Sequence, residues 1–193
     1  MYKINDSLAE RQTAKEKSDR LFLRWVAIIV AVMTVIMALN QFVFFTVQVK
    51  GQSMQPTLYT NDLLMANRVK KVERGSIIII EGETGYWLIK RVIACDEGDK
   101  IEIKDGYVYL NGVKLNESYV LKDGVTEWTS EEQTVELKAG EIFYLGDNRQ
   151  NSSDSRNYGT CKDGQVVGVV EEWSLSLKGI GRFFALLKQK LSD

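Results

Sequence analysis

The 193-residue chain contains no histidine, a single proline and only two cysteines. Without histidine a Ser-His-Asp triad is impossible, and a zinc site loses its usual nitrogen ligand. With Pro56 as the sole proline, no proline-rich linker divides the chain. Cys95 and Cys161 cannot make a disulfide framework; one bridge between them and two free thiols both fit. Excess charge is missing too: 25 basic residues face 26 acidic ones, so nothing marks a nucleic-acid surface. The length suits one domain with a short appendage.

What is present starts with an apolar run. From Trp25 to Val47 there is no charged side chain, and Thr34, Asn40, Gln41 and Thr46 are its only clearly polar residues. About 20 residues cross a bilayer core, so one transmembrane helix is expected, over residues 22–47. The run ends in Phe42, Phe44, Phe45 and Val47 rather than in the small residues of a cleavage site, which favours a retained anchor over a signal peptide. Lys3, Arg11, Lys15, Lys17, Arg20 and Arg24 precede it, and only Lys50 follows closely. The positive-inside rule then predicts a cytoplasmic tail at 1–21 and an extracytoplasmic domain at 48–193.

That domain reads as mainly β. "GSIIIIEG" is a buried strand bounded by glycines, and "YWLIKRVIAC" is a second β-rich stretch. "KIEIKDGYVYLNGVKL" alternates with period two around Asp105-Gly106 and Asn111-Gly112, both hairpin signals. "EIFYLGDN" and "QVVGVVEEW" add two more strands, giving an antiparallel domain. The tail "SLKGIGRFFALLKQKL" predicts a short helix with Phe183, Phe184, Leu187 and Leu191 on one face and Arg182, Lys188 and Lys190 mostly elsewhere. Such a face either docks on the domain, its commoner use, or rests on anionic lipid.

"GQSMQPTL", residues 51–58, presents Ser53 in a turn shortly after the membrane run. A serine nucleophile needs a base, and without histidine the alternative is a lysine in apolar surroundings. Lys90, in "WLIKRVIA", is the candidate, because most other lysines lie in polar company. An ordinary lysine is neutral in only about one molecule in 2,500 at pH 7, so burial has to lower its pKa. The competing reading turns Lys90 outward from a half-exposed strand, since Lys90 and Arg91 must face opposite sides. A third stretch, "GDNRQNSSDSRNYG" at 146–159, is rich in turn-formers and hydroxyls. Asp154 and Arg156 can pair within it, and Ser152, Ser153 and Ser155 can meet a lysine amine.

Together with "RGSIIII" and "IKRVIACDEGDKI", these stretches resemble, in order, the type I signal peptidases, membrane-bound serine proteases that cut signal peptides from exported preproteins. The resemblance covers residues 51–159 behind an N-terminal anchor. It implies a β-rich catalytic domain without metal or cofactor. It further implies Ser53 as nucleophile, Lys90 as general base, and Ser152 as a hydroxyl hydrogen-bonding the lysine amine. Asp154 and Arg156 match a buried ion pair, while Asp147, Asn148 and Arg149 shape the same loop. Val49, Met54, Leu58 and Ile89 are the expected lining of shallow pockets for small residues at −1 and −3, with "YWLI" as a strand edge for extended substrate. The expected partners are preproteins with signal peptides and the lipid bilayer, near the secretion translocon, with no nucleic acid.

Two positions depart from the family pattern. Gly51 stands where some members have a serine that joins the oxyanion hole, as in many Gram-positive members, so a second donor must come from elsewhere. Ser76 replaces a frequent aspartate, a change expected to be structural. The alternatives are a non-catalytic membrane-anchored β domain and a signal-peptidase-like assembly scaffold. A scaffold is expected to lack the serine or the lysine, and both are present.

Overall fold

The computed structural model describes residues 2–82, 85–120, 126–127 and 134–192, with side chains from Lys17 onward except at 187–189 and 191–192. The basic residues Lys3, Arg11 and Lys15 and the tail residues Leu187, Lys188 and Leu191 therefore have side chains outside the described residues.

Helix α1 runs from Tyr2 to Val43. Its segment Lys17–Val43 is long and apolar enough to cross a membrane, and none of its most apolar window is buried against protein. The helix stops four residues before the expected end of the anchor: Phe44–Gln48 is strand β1. The sequence Phe-Phe-Thr-Val-Gln is aromatic and β-branched, and it finds a pairing partner in β2 (Leu63–Asn67), which outweighs continuation of the helix.

Residues from Phe44 onward form their own compact unit. The strands after β2 are β3 (Ile77–Glu81), β4 (Trp87–Ala94), β5 (Lys100–Lys104), β6 (Tyr107–Leu110), β7 (Val113–Lys114), β8 (Thr134–Glu136), β9 (Glu141–Leu145), β10 (Cys161–Lys162) and β11 (Val166–Val170). Two short helices, α2 (Ser155–Tyr158) and α3 (Glu172–Leu175), precede the terminal α4 (Gly179–Ser192). The larger sheet has the order β1-β2-β11-β3-β4-β9-β10, the smaller β7-β6-β5-β8, and every recorded pairing is antiparallel.

Period-two patterning builds the core. In β3 the side chains of Ile77 and Ile79 join Val49, Met54, Leu58, Leu64 and Ala66 in one cluster. Ile78 and Ile80 join Val92, Ile142 and Tyr144 in another. A third cluster unites Ile93, Phe143 and Leu145 with Ile101, Ile103, Val108 and Leu110, tying the smaller sheet to the larger. Both predicted hairpins form: Asp105-Gly106 turns β5 into β6 with φ of 52° and 81°, and Asn111-Gly112 turns β6 into β7 with 52° and 79°. Left-handed backbone at both loop residues is the geometry that joins twisted strands with a two-residue turn. Cys95 and Cys161 are free thiols, and burial pushes the Cys161 pKa up to about 12.

Helix α4 docks on the domain, but not by its aromatic face. A Cβ at Gly181 would lie 2.4 Å from the Asn61 carbonyl oxygen, and Arg182 pairs with buried Asp62 at 2.7 Å. Ile180, Phe183 and Phe184 are exposed.

Candidate active site

Three segments converge. The turn holding Ser53 lies between β1 and β2, Lys90 is in the middle of β4, and the loop 146–154 follows β9. Alternation along β4 sends Lys90 inward and Arg91 to the opposite face. Lys90 is 3% exposed, and its Nζ donates to Ser53 Oγ at 2.9 Å and to the Ile89 carbonyl at 3.2 Å. Burial draws its pKa from 10.5 down to about 8, while Asp154 and Asp147 push it up. At pH 7 this raises the neutral fraction to roughly one in ten, about 300-fold above that of an ordinary lysine.

Each of the two opposing carboxylates is held by a guanidinium. Asp154, fully buried, accepts from Arg156 Nε at 2.8 Å and Nη2 at 3.0 Å. It also accepts from the Gly146 backbone N–H at 3.0 Å and caps α2. Asp147, equally buried, accepts from Arg91 Nε at 2.8 Å and Nη2 at 2.7 Å and from the Thr57 hydroxyl. The Arg91 guanidinium stacks on Tyr119, 4.0 Å from the ring centroid. Burial opposes its charge, yet the hydrogen bond and field of Asp147 prevail and its pKa rises. Arg91 and Thr57 were not expected in the site. A signal for Arg91 existed: Arg156 engages Asp154, which leaves Asp147, in a loop meeting β4, in need of its own cation.

The remaining loop residues fix the serine's backbone. Asn148 donates its backbone N–H to the Ser53 carbonyl at 2.9 Å and its side-chain amide to the Gln52 carbonyl at 3.2 Å. Arg149, 2% exposed, donates to the Gly146 carbonyl at 3.0 Å and Thr126 Oγ1 at 2.7 Å and pairs with Glu117. Gly146 admits no side chain, since a Cβ there would lie 2.2 Å from Ser152 Oγ and 2.5 Å from the Ser53 carbonyl oxygen. Gly51 has a different reason: a Cβ would meet nothing within 4 Å, but its φ is +90°, a conformation glycine adopts without strain.

Two expectations are corrected. Ser152 does not hydrogen-bond the lysine; its Oγ is buried with no hydrogen-bond partner, because the lysine amine is directed to Ser53 and the Ile89 carbonyl instead. Leu58 does not line the groove. It is fully buried, with its N–H on the Met54 carbonyl at 2.8 Å, and packs among Leu64, Ala66 and Ile77.

Ser53 and Lys90 stand in a groove of about 460 Å³ bordered by Val49, Met54 and Ile89 together with Val47, Trp87 and Leu88. Its walls are strand edges. β4 pairs with β3 from Trp87 onward but with β9 only from Arg91, so the stretch Trp87–Lys90 keeps one edge free among the described residues. β1 is the edge strand of its sheet, and Phe45 meets Trp87 edge-to-face at 5.5 Å. No cluster of potential metal ligands occurs among the described residues. The arrangement suits acyl transfer by an oxygen nucleophile with an amine base.

Residues 22–174 match the family described as "Signal peptidase, peptidase S26". Signal peptidase I T of Bacillus subtilis strain 168 is 35% identical over 170 residues, covering 81% of this chain and 86% of that protein. Signal peptidase I of Bacillus caldolyticus is 37% identical over 171 residues, covering 81% and 91%. The crystal structure of a signal peptidase I from Enterococcus faecalis V583 is 35% identical, with a TM-score of 0.46, and covers 53% of this chain and 99% of that one.

Proposed function

The chain belongs to the signal peptidase family, peptidase S26, and from that premise we propose which residues do its work and how it meets its substrate. It is a serine endopeptidase that removes signal peptides from preproteins. Ser53 is the nucleophile and Lys90 the general base. The supporting observation is the 2.9 Å contact between Nζ and Oγ at a lysine that burial has moved toward neutrality.

Neutral Lys90 takes the proton from Ser53 Oγ as that oxygen attacks the carbonyl carbon of the −1 residue. The peptide C–N bond then breaks, and the Lys90 ammonium gives its proton to the leaving amine, the new N-terminus of the mature protein. Water, losing a proton to Lys90, attacks the ester carbonyl. The Ser53 oxygen leaves as the tetrahedral intermediate collapses and recovers its proton from the lysine, freeing the signal peptide with a C-terminal carboxylate. Asp147, Asn148, Arg149, Asp154 and Arg156 hold the loop that grips the Ser53 backbone. Ser152 packs against Gly146 beside that carbonyl.

Substrate enters extended, pairing its backbone with the free edges of β1 and β4. Val49, Met54 and Ile89 face it with well-packed apolar surface that leaves room for small side chains at −1 and −3. The apolar part of the Lys17–Val43 helix is the membrane anchor, with the tail 1–21 on the cytoplasmic side and the domain from Phe44 on the other. Ser53 lies ten residues beyond Val43, at most about 36 Å of extended chain, within reach of a cleavage site leaving the bilayer at the secretion translocon. Ser53→Ala is expected to abolish cleavage of a preprotein with Ala at −1 and −3 in reconstituted membranes while thermal unfolding stays unchanged; cleavage near the native rate sinks the assignment.

A further inference from the structure

We infer that Lys50 selects preproteins with an acidic side chain directly beside the −1 residue, at −2 or +1. That role rests on the reading of the Ser53 groove as the substrate site.

The groove carries side-chain charge of one sign. Its described lining includes Lys50 and Lys90 and no carboxylate. The two aspartates that act on Lys90, Asp154 and Asp147, are taken up by Arg156 and Arg91. Lys90 is buried and directed to Ser53. Lys50 differs: it is exposed, and among the described residues it has no ion pair. A cation that borders a substrate groove without a carboxylate of its own is left to meet one on the substrate.

The backbone on both sides of Lys50 is fixed, so its side chain has a set point of departure. The Val49 N–H donates to the Asp62 carbonyl at 2.8 Å, and the Val49 carbonyl accepts from the Asn61 N–H at 2.9 Å. The Gly51 carbonyl accepts from the Thr60 hydroxyl at 2.9 Å. Burial alternates along this edge: Phe45, Val47 and Val49 turn inward, while Thr46, Gln48 and Lys50 are exposed. An extended substrate alternates in the same way. With −1 and −3 facing Val49, Met54 and Ile89, the side chains at −2 and +1 stand on the outward face, where Lys50 is. Those two positions lie about 7 Å apart, within the sweep of a flexible four-carbon stem that starts next to Val49. The attraction acts on bound substrate and transition state alike, so it lowers KM and leaves kcat in place.

The test gives the full chain, in detergent at low salt, preproteins that carry Asp or Lys at −2, or Asp or Lys at +1, with Ala kept at −1 and −3. The readout is the ratio of kcat/KM for the Asp substrate to that for the Lys substrate. At one or both positions that ratio is expected to fall about threefold in Lys50→Gln and about tenfold in Lys50→Glu, through KM. Raising the salt to 0.5 M should shrink the difference between native chain and variants. Ratios at both positions that are equal in the native and Lys50→Glu chains overturn the inference. So does a change carried by kcat with KM unmoved, which means that the substitution disturbs Ser53 instead. Ser53→Ala keeps the two readings apart. Cleavage that survives in it sinks the proteolytic assignment, whereas Ser53-dependent cleavage with an unmoved ratio sinks only the role of Lys50.

Discussion

Replacing Lys90 by methionine keeps the volume of the side chain and removes its charge, so activity and stability should move in opposite directions. The amine's pKa falls from 10.5 to about 8 on folding, so at pH 7 the folded chain holds a buried ammonium at a cost of about 3 kcal/mol. Methionine removes that cost and forfeits the hydrogen bonds to Ser53 and Ile89, worth roughly 1 kcal/mol net. The variant should therefore be inactive yet about 2 kcal/mol more stable, a rise of about 4–8 °C in Tm for a domain of this size. The pH dependence has a definite sign. Below about 8 both states of the native chain carry the proton and the cost is constant. Between about 8 and 10.5 the unfolded state binds the proton that the folded state has lost, so native stability rises with pH and the variant's advantage fades. Thermal unfolding of the detergent-solubilised full chain and its variant from pH 6 to 11 measures this directly. In parallel, kcat/KM of the native enzyme should rise with pH and level off near 8. A variant less stable than the native chain, or a stability gap unchanged across that pH range, refutes the burial account of the base.

Arg91→Met strands the fully buried Asp147 carboxylate and should cost about 3–5 kcal/mol. Denaturant titration measures that cost, and the pH–activity profile should shift to higher pH because Asp147 then acts on Lys90 unbalanced. Ser152→Ala removes a hydroxyl without a hydrogen-bond partner, so stability should change by less than about 0.5 kcal/mol. A loss well above 1 kcal/mol by the same titration, with a displaced pH profile, means that the serine does hold the amine. Gly146→Ala drives a methyl against Ser152 and the Ser53 carbonyl and should cost about 1–3 kcal/mol. Steady-state kinetics should show kcat falling more than KM, since Ser53, the proposed nucleophile, moves while the groove remains.

Local rules made much of this protein legible before any coordinates. A charge-free run of hydrocarbon-core length determines an apolar helix, period-two alternation determines the strands, and Asp-Gly or Asn-Gly pairs determine two-residue turns. All of these depend on near neighbours in the chain. The absence of histidine with a lysine among apolar residues made Ser53 and Lys90 candidates only, and it was the resemblance of the surrounding motifs to the signal peptidases that gave them expected roles. What the sequence could not decide is which partners distant segments find. The end of α1 at Val43 rather than Val47 follows from pairing with β2, and the burial of Leu58 from a neighbouring strand. The engagement of Asp147 by Arg91 joins residues 56 positions apart, and the lysine's choice of Ser53 over Ser152 is a matter of ångströms. For α4 the sequence determined an amphipathic helix, and only tertiary packing decided that its small residue, not its aromatic face, would meet the domain. Close approach to the Asn61 carbonyl requires glycine, and that contact leaves the phenylalanines outside.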